Sequence, residues 1–458
     1  MTPIQAYYLL HEGTLALARA ERNGIRVDVE YLEEKISDLE KQICDLEDHF
    51  KSSRFYSQWK GFQGKEPNPN SSVQLANYLY GELQLVPPKL TATGRGSTDK
   101  ESLTELNIPE LNAVLEARKL KKIKDYLEGF RREQTDGWLH PSFNLHLART
   151  FRSSSDSPNF QNIPKRDKLA MDVTRRALYP RRGHQLLEVD YGALEVRIAA
   201  CYHKDPTMLQ YIKTDHDMHA DMAQQIFMID DFDKHRDDHA VLRGATKNGF
   251  VFPQFYGDYF VNCAEYMACD WGGLPKKGGW RPGQGVALDG GTLGGHLRSK
   301  GIKNLEDFIQ HVKEIEQDFW GKRFRQYARW KERWWHEYQK TGYIDMLTGF
   351  RCKGLMGKND AINYPIQGSA FHCLLWSFIE LDKMLVQNKW RSRIIGQIHD
   401  AIVLDVYPPE LPMLVKHIVD ITTKKLPEAW NWISVPLTVE FEICDVDTSW
   451  ADKKELEI

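Results

Sequence analysis

The alternation of apolar and polar positions marks a few elements strongly. Leu186-Leu187-Glu188-Val189-Asp190 reads as a short buried strand, apolar on both sides of Glu188 and ending on Asp190. Beyond Tyr191-Gly192 the pattern turns helical, with Leu194 and Ile198 one turn apart on one face. Arg393 to Val406 predicts two apolar strands joined by a tight turn at His399-Asp400. Residues 4–50 carry helical periodicity broken at Asn23-Gly24, a turn signal, and Val29 to Phe50 resumes as a charged amphipathic helix. A basic helix is predicted from Leu111 to Arg132, and an aromatic, basic helical region from Asn304 to Lys340. Gly342 to Arg351 has a strand-turn pattern, Asn363 to Ala370 reads as the cap of an apolar helix, and Val435 to Glu442 alternates as a strand.

Turn chemistry fills the intervals. Asn68-Pro69-Asn70-Ser71-Ser72 caps a helix, and Lys89 to Asp99 is polar and turn-rich. Residues 258–303 carry Gly pairs at Gly272-Gly273, Gly278-Gly279, Gly290-Gly291 and Gly294-Gly295. No strand-to-helix context supports a phosphate loop there, so a mobile surface loop or partner contact is expected.

At 458 residues the chain is long enough for two or three domains or subdomains. A net charge of −3 does not announce a nucleic-acid binder, so any such contact has to come from local patches. Candidates are Arg118 to Lys124, Arg175-Arg176, Arg181-Arg182, and Lys322-Arg323 with Arg325. Seven scattered cysteines without a CxxC fit a reducing compartment, and Cys263 with Cys269 is not read as a metal site. Neither a membrane-length apolar run nor a signal pattern occurs, so a cytoplasmic location is expected.

The candidate chemistry begins with Asp190 and Asp400, two acids at strand ends able to share divalent metal, the minimal need of two-metal phosphoryl transfer. Arg243 and Lys247 stand four apart on one helix face and could neutralise a triphosphate, with His219 adding a donor. Thr150 to Pro164 is rich in amide and hydroxyl donors suited to the acceptors common to all base pairs in a minor groove. The basic helix 111–132 could contact phosphates without base preference. Asp28-x-Glu30 has the spacing of an exonuclease acid pair, but it opens a helix after a turn, where acids suit the N-terminus.

Asp190-Tyr191-x-x-x-Glu195-x-Arg197 and Gln397-Ile398-His399-Asp400 resemble the first and third catalytic motifs of the family A DNA polymerases, the bacterial and phage DNA polymerase I type. The resemblance covers nearly the whole chain. It implies an α+β right-hand polymerase with an antiparallel-sheet palm, a helical thumb and helical fingers, here without the 3′-5′ exonuclease domain. The implied division is palm at 1–30, thumb at 31–139, palm with the first motif at 140–215, fingers at 216–340 with the insertion 258–303, and palm with the third motif at 341–458. It further implies primer-template DNA and dNTPs as partners, no membrane, and a possible replication partner on the insertion or thumb. Two Mg²⁺ ions, replaceable by Mn²⁺, would be held by Asp190, Asp400 and the Tyr191 carbonyl. Glu195 would exclude a 2′-OH; His219, Arg243, Lys247, Phe252 and Tyr256 would hold the nucleotide; Arg152, Asn159, Gln161, Asn162, Arg166, Gln367 and His399 would contact DNA.

Four departures from the family pattern matter. Phe151 stands where glycine is usual. Spacing from Lys247 puts the pocket aromatic at Val251, whereas matching back from Tyr256-Gly257 selects Phe252, so an irregular turn is expected between them, with Pro253 weakening the helix there. Ala401 replaces the usual Glu after His-Asp, while Glu188 is an extra acid two residues before Asp190. Glu188 is therefore expected either as a relocated third acid near the metals or as the partner of a basic neighbour. Rival functions are a single-subunit RNA polymerase, against which Glu195 argues, and a catalytically silent DNA-binding relative, against which the intact acids and cations argue.

Overall fold

The computed structural model describes residues 1–165, 167–214 and 216–457. Arg166, expected to contact DNA, lies outside the described residues.

A five-stranded antiparallel sheet forms the centre, in the order 393–398, 401–406, 185–191, 439–443, 454–455. Gln185–Tyr191 is its central strand, and the hairpin Arg393–Ile398 and Ala401–Val406 lies along one side, turning at His399-Asp400 as the sequence predicts. Both hairpin strands and the central strand are buried almost throughout, because helices cover one face and a short helix and the C-terminal turn cover part of the other. Asp190 pairs with Ala401 on one side and Glu440 on the other, while Glu188 pairs with Val403 and Glu442.

The long helix Lys358–Gln387 packs on this sheet and against the N-terminal helix Pro3–Asn23. It begins at Lys358 and carries Pro365 inside, so Asn363 to Ala370 lies within the helix rather than capping it. Its Gly368 passes the backbone at Thr150 so closely that a Cβ would strike the Thr150 carbonyl.

Val29–Lys51 and Leu111–Glu133 form an antiparallel helical arm. Asp28 caps the first of these, accepting from the Tyr31 N–H at 2.9 Å, which is the structural role its position in the sequence suggests. At the tip, Phe50, Phe55, Tyr56, Trp59, Leu75, Tyr78 and Leu79 build a core separate from the main one.

Residues 258–303 differ from expectation. They hold the helices Phe260–Glu265 and Leu293–Ser299 and a hairpin of Ala287–Leu288 with Gly291–Thr292. Leu274, Trp280, Leu293 and Leu297 are buried in the main core. Burying each such side chain contributes about 1.5–3 kcal/mol, so this is a packed subdomain and not a loose loop.

Candidate active site at the strand ends

Asp190 and Asp400 come together because the hairpin turn sits beside the end of the central strand. The Tyr191 N–H donates to the Asp400 carbonyl at 3.4 Å, and Ala401 is the register partner of Asp190. The turn at His399 is left-handed, with φ 51°, which lets Asp400 follow directly in the hairpin. Burial and the charge of Asp190 raise the Asp400 carboxyl above its ordinary range, against the lowering effect of Arg152. The Tyr191 ring is buried with its hydroxyl 2.7 Å from Ser377 Oγ, so the side chain is an anchor.

After Tyr191 the chain turns sharply into the helix Leu194–His203, with Ala193 at φ 50°. A Cβ at Gly192 would lie 2.5 Å from Thr438 Oγ1, so this turn needs glycine. Arg197 clamps it from below, donating to the carbonyls of Gly192 at 2.8 Å and Pro436 at 2.7 Å. The turn aims Glu195 outward, where its two carboxylate oxygens accept from Arg152 and from the Tyr256 hydroxyl.

Arg152 belongs to the polar stretch 150–164, which is tied to the hairpin by side chains. Ser153 Oγ donates to Gln397 Oε1 at 2.6 Å, and Gln161 Nε2 reaches Ser153 Oγ at 2.7 Å and Gln397 Oε1 at 2.8 Å. Gln397 in turn donates to the His399 carbonyl. Asn159 caps the short turn Phe160–Asn162. Phe151 takes a left-handed backbone conformation that favours glycine, at φ 58°, and its ring centroid lies 5.0 Å from that of Phe350.

The helix Asp237–Thr246 continues into a π turn over Lys247–Val251, where the Phe252 N–H donates to the Lys247 carbonyl. The added residue turns Val251 into the core and leaves Phe252 half-buried beside Lys247, whose Nζ lies 5.4 Å from its ring centroid. His219 packs edge-on to Phe252 at 5.5 Å; burial, then Arg243 and Lys247, push its imidazole down to about 4, so it is neutral at pH 7. Arg243 Nε donates to Asp217 at 2.7 Å. Lys247 has no carboxylate partner among the described residues.

These groups border a cleft of about 1370 Å³. Asp190, Tyr191, Asp400, Glu195, Lys247, Phe252, Tyr256, Arg152, Gln161, Asn162 and His399 line it, facing Arg118, Lys119 and Lys122 of the helical arm. His219, Arg243, Asn159 and Gln367 stand outside that lining, the first two directly behind Phe252 and Asp217.

Glu188 does not reach the site, and its expectation as a relocated third acid is corrected. It is 3 % exposed and its Oε2 accepts from Lys453 Nζ at 2.7 Å, Arg175 Nη1 at 3.2 Å and Trp450 Nε1 at 3.2 Å. Burial alone would raise its carboxyl, but Lys453 and Arg175 outweigh this and hold it below the ordinary range. Two residues escaped the sequence reading. Lys165 Nζ sits 3.0 Å from Asp190 Oδ2, and Glu440 is the cross-strand neighbour of Asp190. Glu440 stood in a visible alternating strand, but its register was not visible; Lys165 carried no signal beyond its place after the polar loop.

Known proteins resemble this chain over most of its length. DNA polymerase I of Aquifex aeolicus is 27 % identical over 434 residues, covering 93 % of this chain and 64 % of that protein. DNA polymerase I of Lactococcus lactis subsp. cremoris is 29 % identical over 436 residues, covering 93 % and 43 %. The chain therefore spans less than two thirds of these relatives. The POL domain of Pol1 from M. smegmatis, solved in complex with DNA primer-template and dNTP, superposes with a TM-score of 0.73 at 25 % identity, over 96 % of this chain and 70 % of that one. The model of DNA polymerase family A matches residues 29–266 and 305–452, the fold is the α+β right-hand polymerase fold, and the chain belongs to that family.

Proposed function

We propose that this chain is a template-directed DNA polymerase that adds deoxynucleotides to a primer 3′ end, in DNA replication or repair in the cytoplasm. The observation that carries this is the meeting of Asp190 and Asp400 on the floor of a cleft walled by the thumb, the polar loop and the fingers helix. No described helix is long and apolar enough to cross a membrane.

The donor set fits Mg²⁺, which is commonly held by one or two carboxylates together with substrate phosphates. Among the described residues no cluster of three or more metal-binding side chains forms, which leaves coordination positions for substrate phosphates and water. Asp190, Asp400 and the Tyr191 carbonyl would hold two Mg²⁺, or Mn²⁺ in their place. When bound, these ions supply the positive charge that stabilises the attacking and leaving oxygens. Lys165 neutralises Asp190 in the structure and has to give way to metal.

Lys247, with Arg243 behind it, neutralises the triphosphate, and neutral His219 offers a hydrogen bond without further charge. Phe252 presents its ring to the base and sugar. Glu195, fixed by Arg152 and Tyr256, closes the space a 2′-OH would need. Gln161, Asn162 and His399 face the terminal base pairs, with Asn159, Arg166 and Gln367 as further DNA contacts. Arg118, Lys119 and Lys122 hold phosphates of the duplex.

The test is extension of a labelled primer-template by the purified chain with Mg²⁺. Extension with dNTPs, much weaker extension with rNTPs and loss on chelation are expected. Efficient use of rNTPs would favour an RNA polymerase, and binding without extension a silent relative.

A further inference from the structure

The segment 267–304 is left out by the family match, which stops at 266 and resumes at 305. It contains six cations, Lys276, Lys277, Arg281, Arg298, Lys300 and Lys303, against Asp270 and Asp289, within a chain of net charge −3. All six are exposed. Lys277, Arg281, Arg298 and Lys303 have no carboxylate partner among the described residues, whereas Lys276 and Lys300 do.

These cations are mounted on a fixed base. Trp280 is buried, its backbone N–H donates to the Lys303 carbonyl at 2.7 Å, and its indole N–H donates to the Pro275 carbonyl at 3.0 Å. Arg298 Nη1 reaches the Trp280 carbonyl at 2.7 Å. Lys277, Arg281, Arg298 and Lys303 are therefore gathered around one buried tryptophan. At Gly285, φ is 83° and a Cβ would lie 2.7 Å from the Gly272 carbonyl, so the backbone there is closely packed.

The base also touches the thumb next to the cleft. Lys276 Nζ lies 3.4 Å from Glu105 Oε2, on the thumb helix Lys100–Glu105. Lys100 and the preceding Thr98 and Asp99 line the cleft itself. The insertion thus reaches from the fingers to a thumb helix whose first residue lines the cleft, and it carries four cations without a carboxylate partner among the described residues. Repulsion among exposed like charges is a standing cost, and it is relieved when a polyanion replaces their counterions.

We infer that the insertion is a further nucleic-acid-binding surface, in which Lys277, Arg281 and Lys303 contact backbone phosphates of the primer-template as it passes between fingers and thumb. The inference rests on the polymerase reading for the identity of the strand in the cleft. Its contacts are to phosphate and carry no sequence preference.

The experiment measures binding of a fluorescein-labelled primer-template hairpin by anisotropy over a range of salt. The triple variant Lys277→Gln, Arg281→Gln, Lys303→Gln is compared with the wild type and with the charge-retaining Lys277→Arg, Arg281→Lys, Lys303→Arg. Three lost phosphate contacts should reduce the slope of log K against log salt by about 3 and weaken binding at low salt by tenfold or more, on the order set by counterion release. The charge-retaining variant should keep slope and affinity. Equal thermal midpoints for all three establish that folding is unaffected. Unchanged slope and affinity in the Gln variant would overturn the inference and point to a protein partner on this surface. Because the readout is binding, it stands apart from the polymerase test: a wild type that binds DNA but does not extend a primer sinks that reading alone.

Discussion

Two acids on one strand show how a carboxylate becomes a site or a brace. Glu188 and Asp190 lie two apart on the central strand, so both project to the same face of the sheet. Over Glu188 pack the helix Lys168–Arg176 and the turn Trp450–Asp452, and Arg175 stacks on Trp450 at 4.7 Å. Three donors converge on one oxygen and no water is needed. Two residues on, that cover ends. Asp190 is 30 % exposed, is paired with the half-exposed Lys165 ammonium and lies beside an acid whose charged form burial disfavours. The same residue class on the same face therefore differs in function through what lies above it.

The largest effects should come at the open end. Asp190→Asn and Asp400→Asn should each reduce primer extension to background while the unfolding midpoint stays the same or rises, since neither acid braces the fold. Near-normal extension by either variant would break the comparison at its root. At the covered end the effects should exchange. Glu188→Ala leaves Arg175 buried without its partner, and breaking a buried pair from one side costs about 3–5 kcal/mol. Urea unfolding measures this directly. A stable Glu188→Ala protein with an altered Mg²⁺ requirement would return Glu188 to the active site.

Acid sharpens the same contrast. The Glu188 carboxyl is held below its ordinary 4.5, so its ionised form is favoured by folding. Its contribution is fully present above that ordinary value and is lost as pH falls through the lowered one. The stability gap between wild type and Glu188→Gln should therefore narrow below pH 4.5 and be constant above it. A gap that widens on acidification would mean that the buried cations do not control this group.

Much of this was legible because the strongest signals are local. The strand 185–191, the hairpin and its acidic turn follow from apolar runs broken at Asp190 and at His399-Asp400. Register is not local: nothing in the pattern says that Asp190 lies opposite Ala401 and Glu440, or that Lys453 arrives over Glu188. The insertion was misread for a related reason. Its Gly pairs signal loops, whereas Trp280 packs on Phe308 and His296 bonds to the Phe227 carbonyl, partners that lie outside it. The fingers turn was readable because a one-residue conflict between two anchors has to be absorbed somewhere, and a π turn absorbs it.

That turn gives a smaller test. Phe252→Ala removes a ring from the cleft and should raise the KM for dNTPs by about two- to tenfold, the worth of one aromatic contact, with little change in stability. Val251→Ala hollows the core and should cost about 1–3 kcal/mol with KM unchanged. Exchange of these two outcomes would place Val251 at the nucleotide.

The smallest effect concerns Phe151, where two terms of similar size compete. Its left-handed backbone costs about 1–2 kcal/mol for a residue with a Cβ. Its half-buried ring returns about as much by packing against Phe350 and His372. Phe151→Ala keeps the backbone cost and loses the packing, so it should destabilise by about 1–2 kcal/mol. Phe151→Gly loses the packing but also the strain, less about 0.5–1 kcal/mol for the greater freedom of glycine in the unfolded chain. Glycine should therefore be the milder of the two, by about 0.5–1 kcal/mol, the reverse of their order at an ordinary helix or strand position. Chemical denaturation of the two variants decides it. If alanine proves milder, the backbone at Phe151 is not left-handed in solution, and the route by which this residue presents Arg152 to Glu195 must differ.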